Sequence, residues 1–138
     1  MPRFAILEHT GAPDDPAGRH YDLLLEAGDA CRTWRLAELP VAGGPPVPAV
    51  ELPPHRLAWL DHVAGEVSGG RGFARRIAAG EYVVGMSDAT NLMDATRLAI
   101  LITNTIEPMR LALTYDAQPC CWKAGPAAGD RSVRPTQA

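Results

Sequence analysis

The sequence predicts an all-β protein, namely a small closed or partly open antiparallel β-barrel with little helix. Gly and Pro, thirteen of each in 138 residues, divide the chain into short apolar runs, a pattern typical of strands joined by turns. Several of these runs are rich in Val, Ile, Tyr and Trp, which favour a pleated sheet, whereas long helical periodicity is missing. An antiparallel sheet of this kind can close into a barrel, because closure removes its exposed edges.

Strands are predicted wherever an apolar run lies between two of these breaks. The last run, 109–115, is assigned to barrel closure because the fold needs further strands. After residue 86 we expect a turn or a helical turn, since Ser87 or Asp88 can cap a short helix. Residues 1–125 are expected to form one domain, and residues 126–138 a flexible tail with too few apolar groups to pack. The predicted strands are 3–9, 20–27, 31–37, 48–52, 65–69, 72–77, 81–86, 97–103 and 109–115.

Composition and charge exclude several classes of function. A formal net charge of -3 gives no basic surface for nucleic acid, so any phosphate contact must be local. Lys123 is the only lysine, which argues against an enzyme that works through a lysine adduct. The N-terminus is charged at Arg3 and no long apolar stretch follows it, so we expect a cytoplasmic protein with no membrane partner. The three cysteines lack zinc-site or disulfide spacing and are expected to be small buried apolar residues.

The stretch "EHTGAPDDPAGRHYDLLLE" places His9 and an H-x-D pair, His20 and Asp22, on either side of a loop. If residues 20–26 form a strand, its period of two places His20, Asp22 and Leu24 on one face. With His9 on an adjacent strand, the three polar side chains form an N,N,O set suited to Mn²⁺, Zn²⁺ or Fe²⁺. The alternative is a surface His9 at a strand end and an ordinary hydrogen-bonded pair near a turn. The loop itself is expected only to return the chain.

The order and spacing of several segments resemble a known family. These segments are "RFAILEH", "HYDLLLE", "TWRL" and "HRLAWLDH" followed by "GEVSGGRG". They are similar to the 3′-phosphoesterase module of bacterial DNA ligase D and its stand-alone relatives. The resemblance covers about residues 3 to 82, and its most specific piece is H-Y-D followed by the acidic L-L-E ending.

The resemblance implies a compact β-barrel that binds manganese or a similar divalent ion. It also implies an enzyme that trims ribonucleotide or phosphate groups from the 3′ ends of DNA at breaks. Matched motif to motif, His9, His20 and Asp22 correspond to the family's metal ligands, and His55 to an active-site histidine that helps to stabilise the transition state. The implied partners are a DNA or RNA 3′ end or a small phosphate ester, and a DNA-repair protein.

Two positions depart from the family's pattern. The family commonly has an arginine two residues after the H-x-D aspartate, where this sequence has Leu24, and usually a tyrosine where it has Trp59. Both changes remove polar groups that hold phosphate. Arg71, between glycines in "SGGRGF", is the candidate replacement and is equally compatible with a solvated loop arginine. Two functions therefore stay open: a weak metal-dependent phosphoesterase, or a non-catalytic barrel that binds a metal or nucleotide-like ligand as a DNA-repair accessory.

Overall fold

The computed structural model describes residues 2–41, 43–102, 109–116 and 121–126. Within these ranges nine strands form one antiparallel sheet, and helix is limited to two short 3₁₀ segments. No helix in this part of the chain is long and apolar enough to cross a membrane. The elements are β1 (Arg3–Thr10), β2 (Arg19–Ala27), β3 (Ala30–Leu36), β4 (Val47–Arg56), the first 3₁₀ helix (Leu57–Asp61), β5 (Ala64–Glu66), β6 (Phe73–Ser87), the second 3₁₀ helix (Leu92–Asp94), β7 (Arg97–Ile102), β8 (Met109–Asp116) and β9 (Cys121–Pro126).

Eight of these strands form a closed barrel. Around the ring the order is β1-β2-β3-β4-β9-β8-β7-β6, and pairing of β6 with β1 completes it. β5 pairs with the start of β6 and is shorter than the strand predicted at 65–69. The predicted all-β barrel with little helix is confirmed, and the barrel is closed. The predicted tail lies outside the described residues beyond Pro126.

β6 closes the barrel because it is long enough to pair with two neighbours. Residues 73–81 pair with β1, and residues 82–87 pair with β7. Two separate strands were predicted here, but the segment is a single strand of 15 residues. Gly80 lies opposite Phe4 within it, and a glycine inside a strand is typical of a tight bend in a barrel.

The segment between β6 and β7 contains the predicted helical turn, but Asn91 caps it. The Asn91 side chain accepts a hydrogen bond from the backbone N–H of Met93. Asp88, one of the two predicted caps, instead accepts hydrogen bonds from the backbone N–H and the hydroxyl of Thr96. Ser87 is the last residue of β6. The helical turn was predicted correctly, whereas its capping residue was wrong because Asp88 ties the segment to β7.

The barrel interior is filled by one large apolar cluster. Alternate residues point inward along each strand, as Leu23 and Leu25 do on β2 and Trp34 does on β3. Trp34 is fully buried and packs edge to face on Trp122, with ring centroids 5.3 Å apart. Burial of this apolar surface is the main favourable contribution to folding.

A second, smaller apolar cluster lies on the outer face of β1 and β2. The first 3₁₀ helix covers it, and Arg76 of β6 holds that helix by donating to the Leu60 carbonyl at 2.9 Å. Cys31 is buried there, as predicted, whereas Cys120 and the Cys121 side chain lie outside the described part of the chain. The buried members of this outer cluster are Ala5, Leu7, Leu24, Cys31 and Leu60.

Candidate metal centre

His9, His20 and Asp22 meet on the outer face of two paired strands. His9 of β1 lies directly opposite His20 of β2, and Leu7 lies opposite Asp22, so the three polar side chains project from the same face. One donor atom from each side chain lies within 4.8 Å of the other two. The structure therefore brings together the three residues that the H-x-D spacing and the family resemblance predicted as ligands.

A backbone carbonyl sets the orientation of the His9 ring. His9 Nε2 lies 2.7 Å from the carbonyl oxygen of Arg71, and because a carbonyl only accepts, Nε2 carries the proton. His9 Nδ1 is then the nitrogen with a free lone pair. It lies 3.9 Å from Asp22 Oδ2. His9 therefore presents Nδ1 to the cluster.

Asp15 orients the His20 ring in the same way. His20 Nδ1 donates to Asp15 Oδ2 at 2.8 Å, and this hydrogen bond lowers the pKa of Asp15. His20 Nε2 keeps its lone pair and lies 3.5 Å from Asp22 Oδ1. Asp15 is itself held by the backbone N–H of Ala17, which donates to Oδ1 at 3.1 Å. The expectation that this loop only returns the chain was wrong, because the loop supplies the carboxylate that orients His20.

Two buried atoms of the cluster have no hydrogen-bond partner. His20 is 2% exposed and Asp22 is 6% exposed, and His20 Nε2 and Asp22 Oδ1 are both unpartnered among the described residues. An unsatisfied buried acceptor costs about 1 to 3 kcal/mol. Burial raises the pKa of Asp22, while the charge of Arg35, and of the neighbouring histidines when they are protonated, opposes the rise. A cation between the two atoms would satisfy both.

The donor set fits a divalent transition-metal ion. Two imidazoles and a carboxylate give the N,N,O ligands that such ions accept, and each imidazole is held through its other nitrogen, as metal-binding histidines usually are. Two donors at about 2.1 Å from one ion are at most about 4.2 Å apart. The present separations, up to 4.8 Å, therefore need side-chain shifts of at least about half an ångström, and larger ones to reach the roughly 3.4 Å between neighbouring donors of a tetrahedral site. Three protein ligands leave positions for water or a substrate oxygen.

His55 is within electrostatic range of Asp22 and is not one of the three donors. It is half-buried at the end of β4, and its Nδ1–H donates to the carbonyl of Pro53 at 3.0 Å. This contact leaves Nε2 available. The charge of His55 acts on the Asp22 carboxyl, so the two side chains are close enough to interact through space. Its role in stabilising a transition state stays a prediction.

The two departures from the family's pattern give the site an apolar neighbour. Leu24 shares the outer face of β2 with His20 and Asp22, as its spacing predicted, and it is fully buried in the outer cluster. Trp59 packs against that cluster and contacts the ring of His62, with centroids 4.8 Å apart. Because Leu24 is enclosed, an arginine at this position would have to displace the covering 3₁₀ helix.

Arg71 reaches the site through its backbone. Its guanidinium is engaged elsewhere, since Nε and a terminal nitrogen donate to the carbonyl and hydroxyl of Ser68 at 2.7 and 3.2 Å. The next residue, Gly72, has a φ of +93°, and a Cβ there would meet the Thr10 carbonyl oxygen at 2.2 Å. Only glycine fits this approach, which sets the Arg71 carbonyl against His9. A phosphate contact by the Arg71 side chain stays a prediction.

Arg35 is a cation that the sequence analysis missed. It lies directly opposite Asp22 in the β2–β3 pairing, and therefore on the same face. The signal was present in the tight turn at Gly28 and Asp29, because a two-residue hairpin turn fixes the register of its strands. Gly28 has the positive φ, +71°, that such a turn requires. Asp15 had only a weak signal, as an acidic residue in a Pro-containing loop between two histidines.

A scan of the sequence against models of known protein families finds no match, and a search among curated proteins finds no significantly similar sequence. The resemblance to the phosphoesterase module therefore stays a prediction from motifs. The function is therefore inferred from the fold and from the geometry of this cluster.

Proposed function

We propose that the protein is a divalent-metal-dependent phosphoesterase-like protein that acts on nucleic-acid 3′ ends or a related phosphate ester. One observation carries the proposal: two imidazole nitrogens and a carboxylate converge on a point where His20 Nε2 and Asp22 Oδ1 are buried without partners. Native proteins seldom keep such atoms unpaired without a ligand or a functional reason. Manganese is the ion that the resemblance favours, and zinc or iron would also suit the donors.

The residues around the cluster have different roles in the proposed function. His9, His20 and Asp22 hold the ion, and the Arg71 carbonyl and the Asp15 carboxylate keep the two rings in the tautomers that ligation needs. A bound divalent ion supplies Lewis acidity toward a phosphoryl oxygen and activation of water. In its protonated form His55 keeps Nδ1–H on the Pro53 carbonyl and has an Nε2–H that can donate to oxygens on which charge develops.

A second candidate function rests on the apolar surroundings of the site. Leu24 and Trp59 stand where the resembled family has polar groups that hold phosphate, and Leu24 is fully buried. A barrel with this site can bind a metal or a nucleotide-like ligand without turnover, as an accessory to a DNA-repair protein. The same apolar contacts explain why we expect any phosphoesterase activity to be weak.

One pair of assays separates these functions. Metal content is measured after purification with and without added Mn²⁺. Phosphate release is then followed on a 3′-phosphate DNA end and, with an added phosphatase that frees phosphate from the monoester product, on a generic phosphodiester. The wild type should bind about one ion per chain and release phosphate slowly. His20→Ala should lose both, and His62→Ala, which removes a histidine outside the cluster, should keep both.

Metal binding without phosphate release from either substrate would favour the accessory barrel. Absence of metal binding in the wild type would overturn the proposal as a whole. Brisk release that survives His20→Ala would contradict the assignment of the site.

A further inference from the structure

Arg35 places a positive charge next to the candidate metal centre. It lies opposite Asp22 on the outer face, and its charge acts on the carboxyls of both Asp22 and Asp15. One terminal nitrogen lies 3.5 Å from Asp14 Oδ2, in an ion pair whose Asp14 side chain is 71% exposed. At that distance and exposure the pair is weak.

The guanidinium of Arg35 is also incompletely hydrogen-bonded. Its Nε is buried and has no partner in the described part of the chain. The other arginines near this face are better satisfied. Arg71 donates twice to Ser68, and Arg76 donates to the Leu60 carbonyl at 2.9 Å. Arg35 is thus a cation held beside the cluster with an unused donor and a loosely held counter-ion.

We propose that Arg35 forms an anion-binding subsite that takes an oxygen of a phosphate ester whose other oxygens face the metal centre. The inference rests on the proposed function and names the group that replaces the arginine missing at Leu24. A guanidinium binds a phosphate side-on through Nε and one terminal nitrogen. The terminal nitrogen that shares this edge with the Nε–H is Nη2. The edge therefore consists of the unpartnered Nε and of a nitrogen that Asp14 does not contact, since Asp14 lies 3.5 Å from Nη1.

Asp14 opposes anion binding at this subsite. Its carboxylate lies 3.5 Å from Arg35 Nη1, so its negative charge offsets part of the positive charge that attracts a phosphate oxygen to the guanidinium. Removing the Asp14 charge should therefore strengthen phosphate binding, while removing Arg35 should weaken it. A pair that served only to stabilise the fold would give effects of the same sign.

Titration of inorganic phosphate, and then of a 3′-phosphorylated oligonucleotide, into the Mn²⁺-loaded protein tests this inference. Arg35→Ala should weaken both about 10- to 100-fold, the loss expected for one charge-assisted contact. The phosphate affinity of Arg35→Lys should lie between those of the wild type and Arg35→Ala, since lysine keeps the charge but loses the planar fork. Asp14→Asn should tighten binding about two- to fivefold.

The matched control is Arg97→Ala, which removes an exposed arginine from β7, on the opposite side of the ring from β3. It should leave phosphate affinity unchanged. Mn²⁺ affinity, measured in parallel, should be nearly the same in Arg35→Ala and wild type, because Arg35 is not one of the donors.

Unchanged phosphate affinity in both Arg35 variants would overturn the subsite, as would weakening by Asp14→Asn. Failure of the wild type to bind Mn²⁺ would overturn the proposed function instead. In that case the same phosphate titrations on the metal-free protein decide the subsite, since opposite shifts for Arg35→Ala and Asp14→Asn would still support it and equal affinities would overturn it.

Discussion

Each face of β3 presents one arginine, and the two arginines differ in how completely the protein hydrogen-bonds them. Arg32 faces the interior, and its guanidinium donates to Glu51 and to the carbonyls of Leu92 and Ala95. Its Cζ also lies 4.9 Å from the ring centroids of both Trp34 and Trp122. Arg35, three residues later on the outer face, has an unpartnered Nε and one weak ion pair.

This difference separates structural polar groups from those available for binding. Every donor nitrogen of Arg32 has a partner in the protein, so the guanidinium joins β3, β4 and the segment before β7. On the outer face, Arg35 Nε, His20 Nε2 and Asp22 Oδ1 are buried and unpartnered within the described residues. Among the described residues the interior has one such atom, Trp34 Nε1, so the three unpartnered atoms that gather on the outer face mark this face as the better candidate for binding a ligand.

The largest effect on stability should come from Arg32. Arg32→Ala should lower the free energy of unfolding by about 3 kcal/mol, because it leaves a carboxylate and two carbonyls without their donor and exposes two indole rings. Arg35→Ala should change it by less than about 1 kcal/mol, as for a weak surface pair. Urea unfolding of both variants measures the contrast. Equal losses would show that the two faces do not differ as described.

A smaller effect, on Mn²⁺ affinity, is expected from the loop carboxylate that orients His20. Asp15→Asn should lower Mn²⁺ affinity about 10- to 100-fold, because the ring loses the carboxylate that fixes its tautomer. The control Asp29→Asn, in the exposed turn between β2 and β3, should have no effect. Calorimetric titration of Mn²⁺ into the metal-free variants checks this. Equal affinities in the two variants would remove Asp15 from the site.

The smallest effect is a gain in stability. Asp22→Asn should raise the free energy of unfolding of the metal-free protein by about 1 kcal/mol, because it removes a buried carboxylate with an unpartnered oxygen. Burial raises the folded pKa of Asp22, so the ionised form opposes folding above that pKa, and the cost disappears as pH falls through it. The gain should therefore be larger at pH 8 than at pH 4. Thermal unfolding of wild type and variant at both pH values measures it, and a loss of stability at pH 8 would contradict it.

Addition of Mn²⁺ should make the wild type more stable than Asp22→Asn, which is the reverse of the order expected without metal. A ligand that binds only the folded state stabilises it, so the midpoint of the wild type should rise. The midpoint of Asp22→Asn, which lacks a ligand, should stay where it was. Equal shifts would place the ion elsewhere.

Local patterns in the sequence predicted the β-barrel and the shared face of His20 and Asp22, since these depend on short-range periodicity, whereas the family resemblance added His9 to the candidate ligands. The period of two along β2 placed His20 and Asp22 on one face, and runs between Gly and Pro turns marked the strands. Asp15 and Arg35 depend on a folded loop and on cross-strand register, which a pattern within one strand does not contain. The continuous β6 was missed for a related reason, because its two halves pair with different strands, β1 and β7.

Anomalous diffraction from crystals grown with Mn²⁺ tests most directly whether the outer face of β1 and β2 is a metal centre. If this face binds the ion, the anomalous map should show one peak, about 2.0 to 2.2 Å from His9 Nδ1, His20 Nε2 and an Asp22 carboxylate oxygen. The Arg71 carbonyl and Asp15 should still hold the outer nitrogens of the two rings. No peak at millimolar Mn²⁺, or one bound through His9 Nε2 or away from these three residues, would contradict it.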